Sequence, residues 1–374
     1  MTEPLNAPAL ILPGGGARGA YQVGVLKALG EILPRVSTPF PIIAGTSAGA
    51  INAAVLASHA SDFRHGVGRL EHFWGQLRCH QVYRTGWLHN LTTGLHWLAA
   101  MTLGGLGVAN PRALLDNQPL GEMLKRELRP DGIRDALENK ALRALLITAS
   151  GYATARAMTF FQASASQQGW SAGKRHGKPA EIRAEHLLAS AALPLLFPAQ
   201  RLGHEFYGDG GMRHTAPLSP PIRMGADRIL IIGTRDERPD PEPVSDSRYP
   251  SLGDIGGYLL GVIFMDHLEN DLKRLERINR LLEELGEPAS ARTGLRRIRC
   301  EVIKPSRDLR EIANRHLHRV PASVRTLLRG IGSWGPGRLP SYLLFEAEFC
   351  RELIELGYAD GLAAAEEVRT LLSY

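Results

Sequence analysis

Ala9-Leu10-Ile11-Leu12 is a short, uninterrupted apolar run that stops at the glycine cluster Gly14-Gly15-Gly16. From about Ala17 to Leu33 apolar positions recur with helical spacing through Tyr21, Val25 and Leu29, so the pattern predicts strand, glycine loop, helix. Pro41-Ile42-Ile43-Ala44 repeats the arrangement, running through Gly45 to Gly49 directly into the alanine-rich stretch Ala50 to Ala57. Two such units near the start of a chain imply a mainly parallel sheet with helices on both faces.

The pattern changes over residues 61–130, where Phe73, Trp74, Tyr83, Trp87 and Trp97 stand among glycines with no sustained period. This region reads as helices and loops capping the sheet; packing is the plainer role for its aromatic residues and a lipid-binding lid the sharper one. Ala144 to Thr148 and Met158 to Gln162 read as strands around the turn Gly151-Tyr152, and Ile229 to Ile232 as another buried strand. A loop over Pro239 to Ser251, a long helix from about Leu252 to Leu285, a last strand over Arg299 to Ile303 and helical residues 307–374 follow. The expected organisation is one α/β domain over 9–305, with 61–130 as a cap or lid insertion, and a C-terminal helical extension, 306–374, packed on the same domain.

Composition narrows this picture without redirecting it. With 374 residues, 44% hydrophobic and 22% charged, the chain falls in the range of folded globular proteins. Cys79, Cys300 and Cys350 are odd in number and far apart, which signals neither a disulfide framework nor a zinc site. Met1 to Pro8 lacks the basic and apolar regions of a cleaved signal peptide. The apolar stretch Gly94 to Ala109 carries His96 and falls short of the ~20 residues that span a bilayer. The expected location is cytoplasmic, with no transmembrane helix. The net charge of +6 is concentrated in residues 271–330, which hold 15 Lys+Arg against 8 Asp+Glu. A solvated basic face is the plain reading; peripheral contact with an anionic membrane comes second, and nucleic acid is not expected as a partner.

The chemistry lies in three glycine-rich segments. Gly45-Thr46-Ser47-Ala48-Gly49 is a G-x-S-x-G between a strand and a helix, the setting of a nucleophile elbow. Its glycines permit a tight strand-to-helix turn that exposes the serine oxygen at a helix N-terminus. Gly14-Gly15-Gly16-Ala17-Arg18-Gly19 opens the first helix and offers successive backbone N–H groups as an anion nest, suited to an oxyanion beside Ser47. The same letters fit a dinucleotide-binding G-x-G-x-x-G, but the second strand runs into Ala44-Gly45-Thr46-Ser47 where an acidic residue belongs. The third segment, Tyr207-Gly208-Asp209-Gly210-Gly211, holds a carboxylate between glycines and supplies the candidate base. Of the thirteen histidines, His204 and His214 lie nearest in sequence to this segment and sit in no triad pattern, reading as surface or core residues.

Together, in this order, these segments resemble the patatin-like phospholipase family. The glycine loop stands about thirty residues before Ser47, and Asp209 well over a hundred after it. Ala189-Ser190-Ala191-Ala192-Leu193-Pro194-Leu195-Leu196-Phe197-Pro198 is similar to the family's small-residue and proline segment ahead of its D-G-G. His214-Thr215-Ala216-Pro217 departs from the asparagine that many members carry before the proline. The resemblance implies a three-layer α/β/α patatin-like fold with a mainly parallel central sheet, an aromatic-rich cap and C-terminal helices. It further implies Ser47 as nucleophile, Asp209 as base and Gly14, Gly15, Gly16, Arg18 and Gly19 as the oxyanion loop. Gly45, Thr46, Ala48 and Gly49 would form the elbow, and Gly210 and Gly211 the base turn. The implied substrate is a lipid or other acyl ester, as for a phospholipase A, lysophospholipase or esterase, with no metal or organic cofactor. A non-catalytic or regulated lipid-binding protein and an acyltransferase on the same fold are the alternatives.

Overall fold

In a computed structural model, residues 7–34, 37–86, 112–235, 252–286, 292–330 and 338–372 are described. Trp87, Trp97, the apolar stretch Gly94 to Ala109 and the expected loop Pro239 to Ser251 therefore lie outside the described residues.

The predicted units form as expected. Strand β1 (Ala7–Leu12) leads through a short 3-10 turn, Gly16–Arg18, into helix α1 (Gly19–Ile32), and β2 (Ile42–Thr46) leads into α2 (Ala48–Ala57). Helix α3 (Phe63–Gly75) follows, and helices Cys79–Val82, Gln118–Glu127 and Pro130–Glu138 come next among the described residues. The next strands are β3 (Ala144–Gly151), β4 (Ala157–Ala163), β5 (Trp170–Ala172), β6 (Arg175–Pro179), β7 (Gln200–Leu202), β8 (Glu205–Asp209), β9 (Ala226–Ile232) and β10 (Arg299–Ile303). They build one sheet in the order β10-β9-β1-β2-β3-β4-β6-β5, with β8 also on β3 and β7 on β8. Pairing is parallel from β10 through β3, because helical crossovers return each strand in the same direction. Beyond β3 it is mixed: β4 and β8 both run antiparallel to β3.

The apolar runs of the inner strands are explained by burial on two faces. Leu10, Leu12, Ile43, Leu145, Ile147, Leu230 and Ile232 join one cluster with Val25 of α1, Ile51 of α2 and Phe349 of the helix Ala347–Ala363. Their neighbours Ala9, Ile11, Ile42, Ala44, Leu146, Ile229 and Ile231 join a second cluster with Leu218 and Leu275. Successive strand residues point to opposite faces, so a strand covered by helices on both sides must be apolar at every position. The result is three layers, with Leu275 contributed by the long helix Leu252–Leu285. The C-terminal helix Ala347–Ala363 packs along α1, where the Tyr21 hydroxyl donates to Asp360 Oδ2 at 2.9 Å. Among the described residues no helix is long and apolar enough to cross a membrane.

Candidate active site

Ser47 is the residue at which β2 becomes α2, and it pays for the sharpness of that turn with a strained backbone, φ 56° and ψ −128°. The neighbouring glycines are required by contact. A Cβ on Gly45 would stand 2.4 Å from the Gly49 carbonyl oxygen, and one on Gly49 would stand 1.9 Å from the Leu12 carbonyl oxygen. Ser47 is only 3% exposed. Its backbone N–H donates to Ser190 Oγ at 2.9 Å, and the Ser190 hydroxyl donates in turn to the Thr148 carbonyl at 2.6 Å.

The register of β3 explains how Asp209 reaches this turn. Along one edge, β3 pairs first with β2, ending at Thr46 opposite Thr148, and then with β8, where Asp209 stands opposite Ala149. Strands β2 and β8 therefore meet end to end on successive residues of one strand. Ser47 follows the last residue of β2 and Asp209 is the last residue of β8, so both stand where the two strand ends meet. The sequence places Asp209 on a glycine turn; in the structure it ends a strand, and the turn is the 3-10 segment Gly210–Met212. Gly210 is needed there, since a Cβ would stand 2.1 Å from the Thr148 carbonyl oxygen. The Asp209 N–H donates to the Ala192 carbonyl at 2.8 Å. The segment 190–192 thus fixes Ser47 through a side chain and Asp209 through a carbonyl.

Asp209 is fully buried. Its Oδ1 accepts from Gly211 N–H at 2.8 Å, whereas Oδ2 has no hydrogen bond of full geometry. Burial pushes the carboxyl pKa up from 3.8 to about 7, with the adjoining Ser47 hydroxyl and the Gly211 N–H pulling the other way. A carboxylate poised near neutrality can accept a proton under ordinary conditions.

The glycine loop is held from two sides. The Thr234 hydroxyl donates to the Gly14 carbonyl at 2.8 Å, and Gln22 Nε2 donates to the carbonyls of Pro13 and Ile232. Asn52 of α2 donates to Gln22 Oε1 and the Gly19 carbonyl, and accepts from Trp74 Nε1 at 2.7 Å. This chain of buried amides couples the loop to α2. Gly16 has φ +54° and lies under the Tyr342 carbonyl, 2.3 Å from where a Cβ would be. Arg18 is 4% exposed. It donates to Ser341 Oγ at 3.1 and 2.6 Å and lies 4.3 Å from the Tyr342 ring centre.

Ser47, Ala48 and Gly16 line one narrow apolar cleft. Thr46 instead faces His214, with 3.3 Å between Oγ1 and Nδ1. His214 therefore adjoins the elbow, although its sequence context gave no sign of it, whereas His204 is exposed on the β7–β8 hairpin. Gln22, Asn52 and Ser190 also went unread; polar residues at core-facing helix positions are the signal that marks them. Many cations of the basic segment are paired within the described residues: Arg297 with Glu283 at 2.7 Å, Arg310 with Asp308 at 2.7 Å, and Arg319 with Glu348 at 3.3 Å.

Ser190→Ala tests the coupling between this segment and the elbow. It leaves the Ser47 N–H and the Thr148 carbonyl unsatisfied, so a stability loss of about 1–3 kcal/mol is expected. A lower kcat should accompany it in chemical denaturation and ester-hydrolysis assays; unchanged kcat would show that the elbow holds itself.

The serine stands on a strained strand-to-helix turn beside a buried carboxylate, on a mainly parallel three-layer sheet, which makes the chain an α/β protein. The family model described as Patatin-like phospholipase matches residues 10–222, and the chain belongs to that family. It is 48% identical over 68 residues to Lysophospholipase nte1 of Aspergillus terreus, a match that spans 18% of this chain and 4% of that protein. It is 52% identical over 56 residues to mouse (Mus musculus) Patatin-like phospholipase domain-containing protein 7, spanning 15% of this chain and 4% of that protein. Among solved structures, VipD from Legionella pneumophila aligns with 96% of this chain and 67% of its own, at 13% identity and a TM-score of 0.37. The ExoU-SpcU complex of Pseudomonas aeruginosa aligns with 98% of this chain and 78% of its own, at 15% identity and a TM-score of 0.28.

Proposed function

We propose that this chain is a serine lipid acyl hydrolase in which Ser47 is the nucleophile and Asp209 its base. The carrying observation is the shared edge of β3, which sets the elbow serine beside a buried carboxylate whose pKa is raised to about 7. In this reading Asp209 takes the Ser47 hydroxyl proton as Ser47 Oγ attacks the ester carbonyl. The carbonyl oxygen becomes an oxyanion facing the Gly14–Gly16 loop. Its collapse expels the alcohol, which receives the proton from Asp209, and leaves an acyl-serine. Water, deprotonated by Asp209, then attacks the acyl-serine, releasing the fatty acid and restoring Ser47. The apolar cleft adjoining Ser47 suits an acyl chain.

The raised pKa makes a testable demand. The base works only when ionised, so kcat/KM for a soluble ester should rise with pH through about 7 and then level off. A profile that is flat from about pH 5 to about pH 9 would count against Asp209 as the base. Product analysis with added alcohol separates hydrolysis, which yields free acid, from acyl transfer, which yields a new ester. Failure of Ser47 to react with a fluorophosphonate would favour a lipid-binding protein.

A further inference from the structure

A second opening lies on the other face of the sheet. The cleft beside Ser47 is lined by Ile51 of the first core cluster, whereas this groove is walled by Leu218 and Leu275 of the second. Trp170 and Ile222, each partly buried, extend its apolar wall. Its volume is about 640 Å³, inside the roughly 300–1,000 Å³ typical of small-molecule sites.

The same groove is lined by four arginines, Arg175, Arg223, Arg274 and Arg296, against one carboxylate, Asp271. Asp271 is engaged by the protein itself: its Oδ2 accepts the Leu218 N–H at 3.0 Å, and its Oδ1 stands 3.6 Å from Arg274. Arg175, Arg223 and Arg296 form no ion pair among the described residues, in contrast to Arg297, Arg310 and Arg319. Arg296 is the most constrained of them. Its Nη2 donates to the carbonyls of Ile222 at 2.6 Å and Ala226 at 3.0 Å, while its Nε is buried without a hydrogen bond. Burial pushes the guanidinium pKa down; Asp227 opposes this from a distance, but its carboxylate is ion-paired with Arg228 at 3.3 Å. A partly buried cation without an anionic partner is unfavourable. A carboxylate or phosphate would supply the missing partner, and guanidinium groups bind both through paired N–H donors.

We infer that this groove is a second ligand site, separate from Ser47, that takes a small anionic amphiphile: the arginines without ion pairs receive its carboxylate or phosphate, and the apolar wall receives its chain. The inference does not depend on the chemistry at Ser47. Arginines alone would suit a bare anion, and the apolar wall alone a neutral hydrocarbon; their presence in one groove selects a molecule with both parts.

Isothermal titration calorimetry on the full chain tests this with octanoate, octyl phosphate, octanol and inorganic phosphate, each below its aggregation threshold. Octanoate and octyl phosphate should bind, and octanol and inorganic phosphate should bind at least about tenfold more weakly. Arg175→Glu and Arg223→Glu should each weaken octanoate by at least about tenfold. Neither side chain makes a hydrogen bond among the described residues, so both variants should fold, with melting temperatures that check it. Absence of octanoate binding, equal binding by the wild type and both variants, or octanol bound as tightly as octanoate would overturn the inference. So would inorganic phosphate bound as tightly as octyl phosphate, which would mark a plain anion site. Binding of phosphatidylglycerol vesicles without binding of octanoate would mark a membrane contact instead, and would overturn it equally.

Discussion

Asp209→Asn is expected to remove ester turnover while making the folded protein more stable. Loss of a general base costs about 10²–10⁴-fold in rate, and an asparagine of nearly the same shape cannot accept the serine proton. Ser47→Ala, which removes the covalent route, should cost still more. The stability effect follows from linkage. The Asp209 pKa rises from 3.8 to about 7 on folding, with burial the largest cause. The folded state thus favours the protonated acid, whose contribution to stability is fully present below about pH 4 and is lost as pH rises towards 7. Asparagine has no such dependence. Denaturant midpoints measured across this window should show the variant gaining on the wild type as pH rises, a trade of stability against function. Parallel curves, or a variant with normal turnover, would contradict the assignment.

Gly49→Ala should be the most damaging small substitution in the site. Its Cβ would stand 1.9 Å from the Leu12 carbonyl oxygen and 2.6 Å from that of Pro13. Both are backbone atoms leading into the glycine loop, so they cannot turn aside as a flexible side chain could. Either α2 lifts off β1 or the loop moves, and the proposed dyad and the candidate oxyanion site lose their alignment together. The expected cost lies at or beyond the upper end of the ~1–3 kcal/mol usual for overpacking, with activity lost as well. Gly68→Ala is the control. It is also a helical glycine, but nothing lies within 4 Å of its added Cβ, so it should be neutral or stabilise by about 0.5–1 kcal/mol. Equal melting temperatures for the two variants would show that the elbow has slack that the contacts deny it.

The parts legible in the sequence were those written in short range. The apolar runs of β1 and β2, the glycines around Ser47 and the helical period of α1 each declare themselves within a dozen residues. Asp209 could be picked out as a residue type between glycines, but the register that brings it to Ser47 could not. That register depends on β3 sharing one edge between β2 and β8, and no local pattern encodes such a division. Strands β5 to β8 were missed for a related reason. Trp170–Ala172, Arg175–Pro179 and Gln200–Leu202 are short and half-buried at most positions, so they carry neither an apolar run nor an alternation strong enough to read.

Buried polar residues were the other blind spot. Gln22, Asn52 and Ser190 are fully buried, and their value lies in the partners they meet rather than in their own neighbourhood. The presence of Tyr342, Leu343 and Phe345 in the lining of the cleft belongs to the same class, since they meet Gly16 and Ser47 from far along the sequence. Arg18, expected as part of the glycine loop, has partners that no local pattern names: its side chain meets Ser341 and Tyr342 from the far end of the sequence.

The most direct test is the rate at which a fluorophosphonate labels the protein, followed by intact mass and peptide mapping in the wild type and in Asp209→Asn. One adduct at Ser47 is expected, forming faster as pH passes through about 7, with labelling of the variant slowed by at least about 10²-fold. Equal labelling rates in the two proteins, or an adduct on any other residue, would contradict the pairing of Ser47 with Asp209.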